Sequence, residues 1–441
     1  MEKMIKLLES SEADAWELTD LKTRGWEFYF IGHRLDQNRA KDVEHIRVKI
    51  YKYSEDRQSL GMATAEVSPS ESEDMIRKTI SDLVYQASLV KNKPYRLNPP
   101  VAAEEPRGSL TSQDVSERQT GLSPLAEDAK DYITIFQNIA ETDTEYLNSY
   151  EIFTERNEQR LITSEGIDIT QIYPTSMLDI VVNARNDEHE IELYRLYHLG
   201  SCSSSQVRQD IEELLRFGKD RLKAVPTPHL GLSAIVLSTD AAVSVYEYFL
   251  DNLNAAFLVR GMSQFEIGKP IASQICGDRV TLQSVRFLEG SPSNFSYDSE
   301  GAPIRDCVLM ESFIPEKFIG SRMFSQYLGL EESFIVSNWS VGGGSKNSEE
   351  IRTGQFLEIV EFSDFQVDSM TGDLFGEIRL AYYHDENGQI IPVTGGSVSG
   401  NMMDNIGHMY MTRKTRCYAN AQIPCATRLE KITIAGAASN V

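Results

Sequence analysis

The chain has 441 residues, longer than one hydrophobic core usually grows, so it reads as two domains. Its 66 acidic residues outnumber 43 basic ones for a formal net charge of −23, a surface that repels phosphate backbones and excludes direct nucleic-acid binding as a leading role. The N-terminus lacks the apolar stretch of a secretory signal, and no segment has the length of uncharged apolar sequence that a helical membrane span needs. The cysteines (Cys202, Cys276, Cys307, Cys417, Cys425) are odd in number and scattered, as expected of free thiols in the cytoplasm.

In chain order, Trp26 to Gly32, His45 to Tyr53 and Leu60 to Val67 have the β-branched and aromatic content of strands. A helix follows to about Lys91, with Ile76, Ile80, Leu83 and Val84 at helical spacing. Ser68 is its expected N-cap, with Pro69 at the first position and Glu71 completing a capping box. Residues 92–123 are rich in Pro, Gly, Ser and Glu and read as a long exposed connection. A helix from about Pro124 to Ile139 leads into four more strands, at Tyr150 to Arg156, Gly166 to Ile172, Leu178 to Ala184 and Glu190 to Tyr197. An amphipathic helix from Ser204 to Lys223 closes this unit. Two strand-rich sheets, each followed by a helix, suggest an N-terminal α+β domain over 1–224 with an internal repeat.

The prolines of Ala224 to Gly231 mark the domain boundary. In the C-terminal domain, 225–441, a short strand at Ala234 to Leu237 enters Ser238-Thr239-Asp240, an N-cap signal, and a helix through Leu253. Strands and turns dominate thereafter. Asn387-Gly388 predicts a two-residue hairpin, and Arg428 to Ala435 a terminal strand. The expected class is α+β, with a β-rich, mainly antiparallel barrel-like or sandwich domain at the C-terminus.

Familiar catalytic patterns are missing. His189-Glu190 has no second histidine at a useful spacing and reads as a solvated strand-edge pair. The run from Gly261 to Gly268-Lys269-Pro270 is too long for a phosphate loop and places Pro270 where Ser or Thr would bind Mg²⁺. Gly342-Gly343-Gly344-Ser345 reads as a Gly-rich turn rather than an anion site, and nothing in the sequence brings Cys425 to His408 as nucleophile and base.

Several short segments follow one another along the C-terminal half: Ser263 to Lys269 (SQFEIGK), Ser296 to Gly301 (SYDSEG), Thr371-Gly372-Asp373, Glu386-Asn387-Gly388 with Pro392-Val393, Gly400-Asn401, and Ile432 to Gly436 (ITIAG). In that order they resemble the PmbA/TldD family, historically labelled modulators of DNA gyrase, from about residue 230 onward. The resemblance implies a two-domain chain that pairs into a dimer enclosing a cavity. In that family the TldD-like subunit carries H-E-x-x-x-H and a distant cysteine as zinc ligands. The PmbA-like (TldE) subunit lacks them, and the pair acts as a peptidase on unfolded polypeptide segments.

By the same resemblance the metal helix falls after Ser238. Its first histidine corresponds to about Tyr246, its glutamate to Glu247, its second histidine to about Asp251 and its cysteine to Cys425. No histidine lies between Leu230 and Tyr383. The resemblance thus implies a non-catalytic subunit with no metal and no catalytic residue of its own, zinc being expected on a TldD-like partner. Its substrate-binding residues are unassigned, and an unfolded peptide added to a free sheet edge is the expected binding mode. The alternative is a stand-alone homodimeric polypeptide-binding or regulatory protein without peptidase activity.

Overall fold

A computed structural model describes residues 1–100, 125–200 and 204–437; Cys202 and most of the 92–123 connection lie outside the described residues. The N-terminal domain is built from ten elements, α1 (Glu2–Glu9), β1 (Ala15–Ile31), β2 (Arg34–Tyr53), β3 (Leu60–Val67), α2 (Glu73–Leu89), α3 (Leu125–Gln137), β4 (Glu145–Thr163), β5 (Asp168–Arg185), β6 (Glu190–Leu199) and α4 (Ser204–Leu222). Each half is thus an α-β-β-β-α unit. The halves do not form two sheets, however. β1 pairs antiparallel with β4, from Glu17 opposite Thr163 to Ile31 opposite Ser149, and this joins all six strands in the order β3-β2-β1-β4-β5-β6. The strands are longer than their apolar content predicts, because backbone pairing carries them through the polar stretch of β2 from Arg34 to Lys41.

Alternation decides which face the helices cover. Ile46, Val48 and Ile50 share one face of β2, and there they pack with Leu18 against Met4 and Leu8 of α1 and the α2 stripe Ile76, Ile80, Leu83. The second unit has its own core, in which Phe136 of α3 stacks on Tyr150 (centroids 4.2 Å apart) and Tyr150 on Phe30 (4.5 Å). Ring pairs of this kind contribute about 0.5–1.5 kcal/mol each beyond their area. That core also takes in Val360 and Leu380 of the C-terminal domain.

In the C-terminal domain, β8 (Gly231–Leu237), β13 (Phe356–Val367), β14 (Asp373–His384), β16 (Ser397–Asn401) and β20 (Thr427–Ala435) close into a five-stranded barrel. Closure comes from β13, which pairs with β8 on one side and β14 on the other. β7 (Val225–Pro226), β15 (Ile390–Thr394) and β17 (Met409–Met411) add to its edges. A second sheet runs β11 (Ile314–Pro315), β10 (Cys307–Glu311), β9 (Leu282–Val285), β12 (Asn338–Val341), β19 (Ala421–Pro424), β18 (Thr415–Tyr418). Helix α5 (Ala242–Asn252) lies in the core shared by barrel and sheet, with Val245, Tyr246 and Phe249 packed among Leu282, Trp339, Leu357 and Ile423. Short helices α6 (Ala255–Val259), α7 (Arg322–Tyr327) and α8 (Met402–Asn405) complete it.

Four local expectations change. Helix α2 is capped by Ser72, whose Oγ accepts from the Met75 amide (3.4 Å), not by Ser68. The Ser68 amide does donate to the Glu71 carboxylate (3.1 Å), but that bond closes a separate turn before the helix. Thr239 and Asp240 offer only their carbonyls to the start of α5, because the Asp240 side chain is turned to Arg195. At the 385–389 hairpin only Gly388 has positive φ; the Asp385 carboxylate accepts from the Asn387 (2.9 Å) and Gln389 (2.8 Å) amides and holds a longer loop than a two-residue turn. Within the expected exposed connection, residues 92–100 are docked rather than free: Tyr95 meets Tyr51 and Tyr327 edge-on, and the buried Asn98 donates to the Glu300 carbonyl (3.0 Å).

Candidate functional site

Helix α5 presents two contrasting faces. Tyr246 is fully buried, and its hydroxyl is 2.6 Å from Thr427 Oγ1 at the start of β20. Asp251 accepts a hydrogen bond from Ser369 Oγ (2.7 Å). Glu247 lies on the other face, solvent-exposed, where it lines part of a cavity of about 320 Å³ at the seam between the domains. Partial burial, and then the charge of Asp251 one turn along, push its carboxyl above the ordinary range. The Cys425 amide donates to the Lys414 carbonyl, and burial pushes its thiol up.

A zinc ion needs about four donors converging at roughly 2 Å. Tyr246 and Asp251 are already spoken for by Thr427 and Ser369. Among the described residues no three His, Cys, Asp or Glu side chains come together to hold a metal ion. The residues at the expected metal positions therefore do not fit zinc.

Four segments wall the seam cavity: β6 from Arg195 to Leu199, α4 through Val207, Asp210, Leu214 and Phe217, the entry and first turns of α5, and the β18–β19 hairpin from Arg416 to Asn420. Most of the wall is apolar, with charge gathered at two arginines. Arg195 bonds Asp240 through Nη1 (2.7 Å) and Glu361 of β13 through Nη2. Arg416 binds Asp210, and Glu213 lies 3.6 Å from its Nη1. Both arginines thus tie the N-terminal domain to the C-terminal one. Burial outweighs their attraction: it raises Asp210 to about 6 and Glu361 to about 7. Glu358 shows the opposite balance. Burial raises it, but hydrogen bonds from Arg352 and His384 win and hold it at about 2.

Two strand edges flank the cavity. Among the described residues β6 pairs only with β5, and β18 only with β19. A second recess, of about 720 Å³, adjoins it on the concave side of the N-terminal sheet and shares His198, Ala419 and Asn420 with it. That concave face is polar. Thr23 donates to Asn157 (2.7 Å), Asn157 to Thr175 (2.9 Å), and Lys41 pairs with Glu155 (2.7 Å).

Of the four expected metal positions, only Glu247 lines the cavity. His408 and Cys425 stand at opposite ends of β17, so they form no nucleophile–base pair. His189 is exposed in the turn before β6, and Glu190 accepts from Tyr146 (2.7 Å). Lys269 pairs with Glu266 at 2.5 Å. At the Gly342–Ser345 turn the Asp278 carboxylate accepts from the Ser345 (3.0 Å) and Met411 (2.8 Å) amides, an internal anion in place of an external one. Sequence reasoning missed Arg195, Arg416 and Asp210. One signal was present: Asp210 interrupts the apolar stripe of α4, three residues after Val207 and four before Leu214, where a charge needs a buried partner.

Comparison with known proteins agrees with this architecture. The family described as PmbA/TldA metallopeptidase C-terminal domain matches residues 231–436. A protein named Metalloprotease from Methanothermobacter thermautotrophicus is 28% identical over 220 residues, covering 45% of this chain and 47% of that one. A Metalloprotease TldD homolog from Buchnera aphidicola is 24% identical over 180 residues, covering 37% and 36%. The chain thus spans about half or less of the length of the sequence relatives it matches. The fold is similar to that of TldE from Thermococcus kodakarensis, with a TM-score of 0.76 at 14% identity over 98% of this chain and 100% of that one. It is also similar to a Thermotoga maritima protein described as a modulator of a DNA gyrase, with a TM-score of 0.74 at 15% identity over 99% of both.

Proposed function

The chain belongs to the PmbA/TldD family, and from that premise we propose that it is the non-catalytic subunit of a TldD/TldE-type metallopeptidase, holding extended polypeptide for a metal-bearing partner. The observation that carries the reading is the orientation of α5: the phenol at the first expected ligand position is sealed in the core against Thr427, while Glu247, alone of the four expected positions, lines the seam cavity. An extended peptide can pair its backbone with the edge of β6 or β18, which gives tolerant, sequence-independent affinity, and drop a side chain into the apolar cavity between them. The tyrosines, arginines and carboxylates of this chain bind and orient; bond cleavage lies with the TldD-like subunit and its zinc.

Co-purification with a TldD-like chain bearing H-E-x-x-x-H tests this. The expected outcome is a mixed complex that cleaves an unfolded peptide faster than the TldD-like chain alone. Failure to co-elute, with no change in that cleavage, would favour a stand-alone homodimeric binding protein instead.

A further inference from the structure

Arg286, the residue that follows β9, is only 9% exposed, and its Nε is out of solvent without a hydrogen-bond partner. Its guanidinium forms no ion pair among the described residues. Asp306 comes near, but its carboxylate accepts from the Arg286 main-chain amide (2.6 Å), and Asn338 donates to the Arg286 carbonyl (3.2 Å). The backbone is thus satisfied while the side-chain charge is not. A buried lysine or carboxyl can shed its charge by changing protonation. A guanidinium cannot, so its burial calls for a counter-ion.

Two hydroxyls stand on the same face of the sheet. Val285 lies opposite Asn338 and Ser284 opposite Trp339, a register that brings Ser337 opposite Arg286 and leaves Ser284 two residues back on the same side. Ser284 is 1% and Ser337 8% exposed, and each buries an Oγ that has no hydrogen-bond partner. The three groups are neighbours that do not bond one another. Guanidinium and hydroxyls can all donate, so a single acceptor among them satisfies all three. A water molecule could accept from two of them but would leave the charge uncompensated; an anion answers both needs. Beside these residues the face is closed by Leu282 and Trp339, both in the main core of the domain. The acceptor is therefore a small ion rather than a group carried on a polypeptide.

We infer that Arg286, Ser284 and Ser337 form a site for a halide ion, chloride in particular, which joins β9 to β12. The site is separate from the seam cavity, to which none of the three contributes, and it stands whether or not that cavity holds polypeptide.

The test is thermal unfolding of the full-length chain while chloride replaces gluconate up to about 0.2 M. Ionic strength is held constant because any salt screens the self-repulsion of a chain with net charge −23. Chloride should raise the Tm of the wild-type chain by about 1–3 °C relative to its effect on Arg286→Met. Ser337→Ala, which removes one donor, should raise the half-saturating chloride concentration about 2- to 10-fold. In crystals of the wild-type chain soaked in bromide, anomalous scattering should place an ion within hydrogen-bond reach of the Arg286 guanidinium. If Arg286→Met does not fold, Ser337→Ala and the bromide position decide. An equal chloride response in the wild-type chain and the folded variants, or bromide found only at surface side chains, would overturn the site.

Discussion

The two α-β-β-β-α units of the N-terminal domain place the same elements around one sheet, yet they finish their outer edges differently. In the first unit the end of α2 lies directly on β3: a Cβ on Gly61 would sit 1.7 Å from the Ala87 carbonyl oxygen. Asn92 then pairs with Leu60 and begins to close that edge. In the second unit α4 stands back from the edge of β6, and the space is walled instead by α5 and the β18–β19 hairpin. The first unit keeps a core of its own, whereas the second shares one with Val360 and Leu380. A repeated unit thus yields a covered edge in one copy and a cavity-lined seam in the other, and the difference arises from what each helix leaves uncovered.

The sharpest way to break the second unit is Tyr150→Ala. It removes the middle ring of the Phe30–Tyr150–Phe136 stack, and deletion of a large buried aromatic costs about 3–5 kcal/mol. Urea unfolding followed by fluorescence should show that loss, with weakened peptide binding, since the same core supports the seam. Gly61→Val strikes the first unit. The added carbons must displace the α2 backbone, at about 2–3 kcal/mol, and peptide affinity at the seam should be unchanged. If Gly61→Val abolished binding, the independence of the two units would be contradicted.

A smaller effect separates the units by pH. Glu361 at about 7 and Asp210 at about 6 lie above the ordinary carboxylate range, so the folded chain holds more protons than the unfolded one between about pH 4 and 7. Their contribution to stability is therefore present at the acidic end of that window and lost as pH rises through the folded values. The unfolding free energy from urea titration should rise when pH falls from 7.5 to 5.5, by about 1–3 kcal/mol. Glu361→Gln should flatten the slope, and a slope unchanged by that substitution would contradict the assignment.

Much of the fold was legible because hydrophobic period and chain punctuation are local. The alternation of Ile46, Val48 and Ile50, the stripe of α2 and the proline-rich boundary near 225 each depend on neighbours in sequence. The joining of the two units through β1 and β4 is not local, since partners such as Thr23 and Asn157 lie 134 residues apart. The site was legible only at Glu247, through the motif position it occupies. Its other walls come from four distant segments, and periodicity tells which face of α4 or β6 is buried but not what covers it. The Asp240 cap fails for a related reason, since Arg195, which only folding brings near, takes its side chain; the Ser68 cap fails locally, because its bond to Glu71 closes a turn ahead of the helix and Ser72 caps it instead.

The account turns on whether α5 can seat a metal. The direct measurement is zinc content of the chain purified without chelator and then offered zinc, together with its hydrolysis of an unfolded peptide in isolation. The account predicts substoichiometric zinc and no cleavage. One zinc per chain, with cleavage abolished by Glu247→Gln, would contradict it.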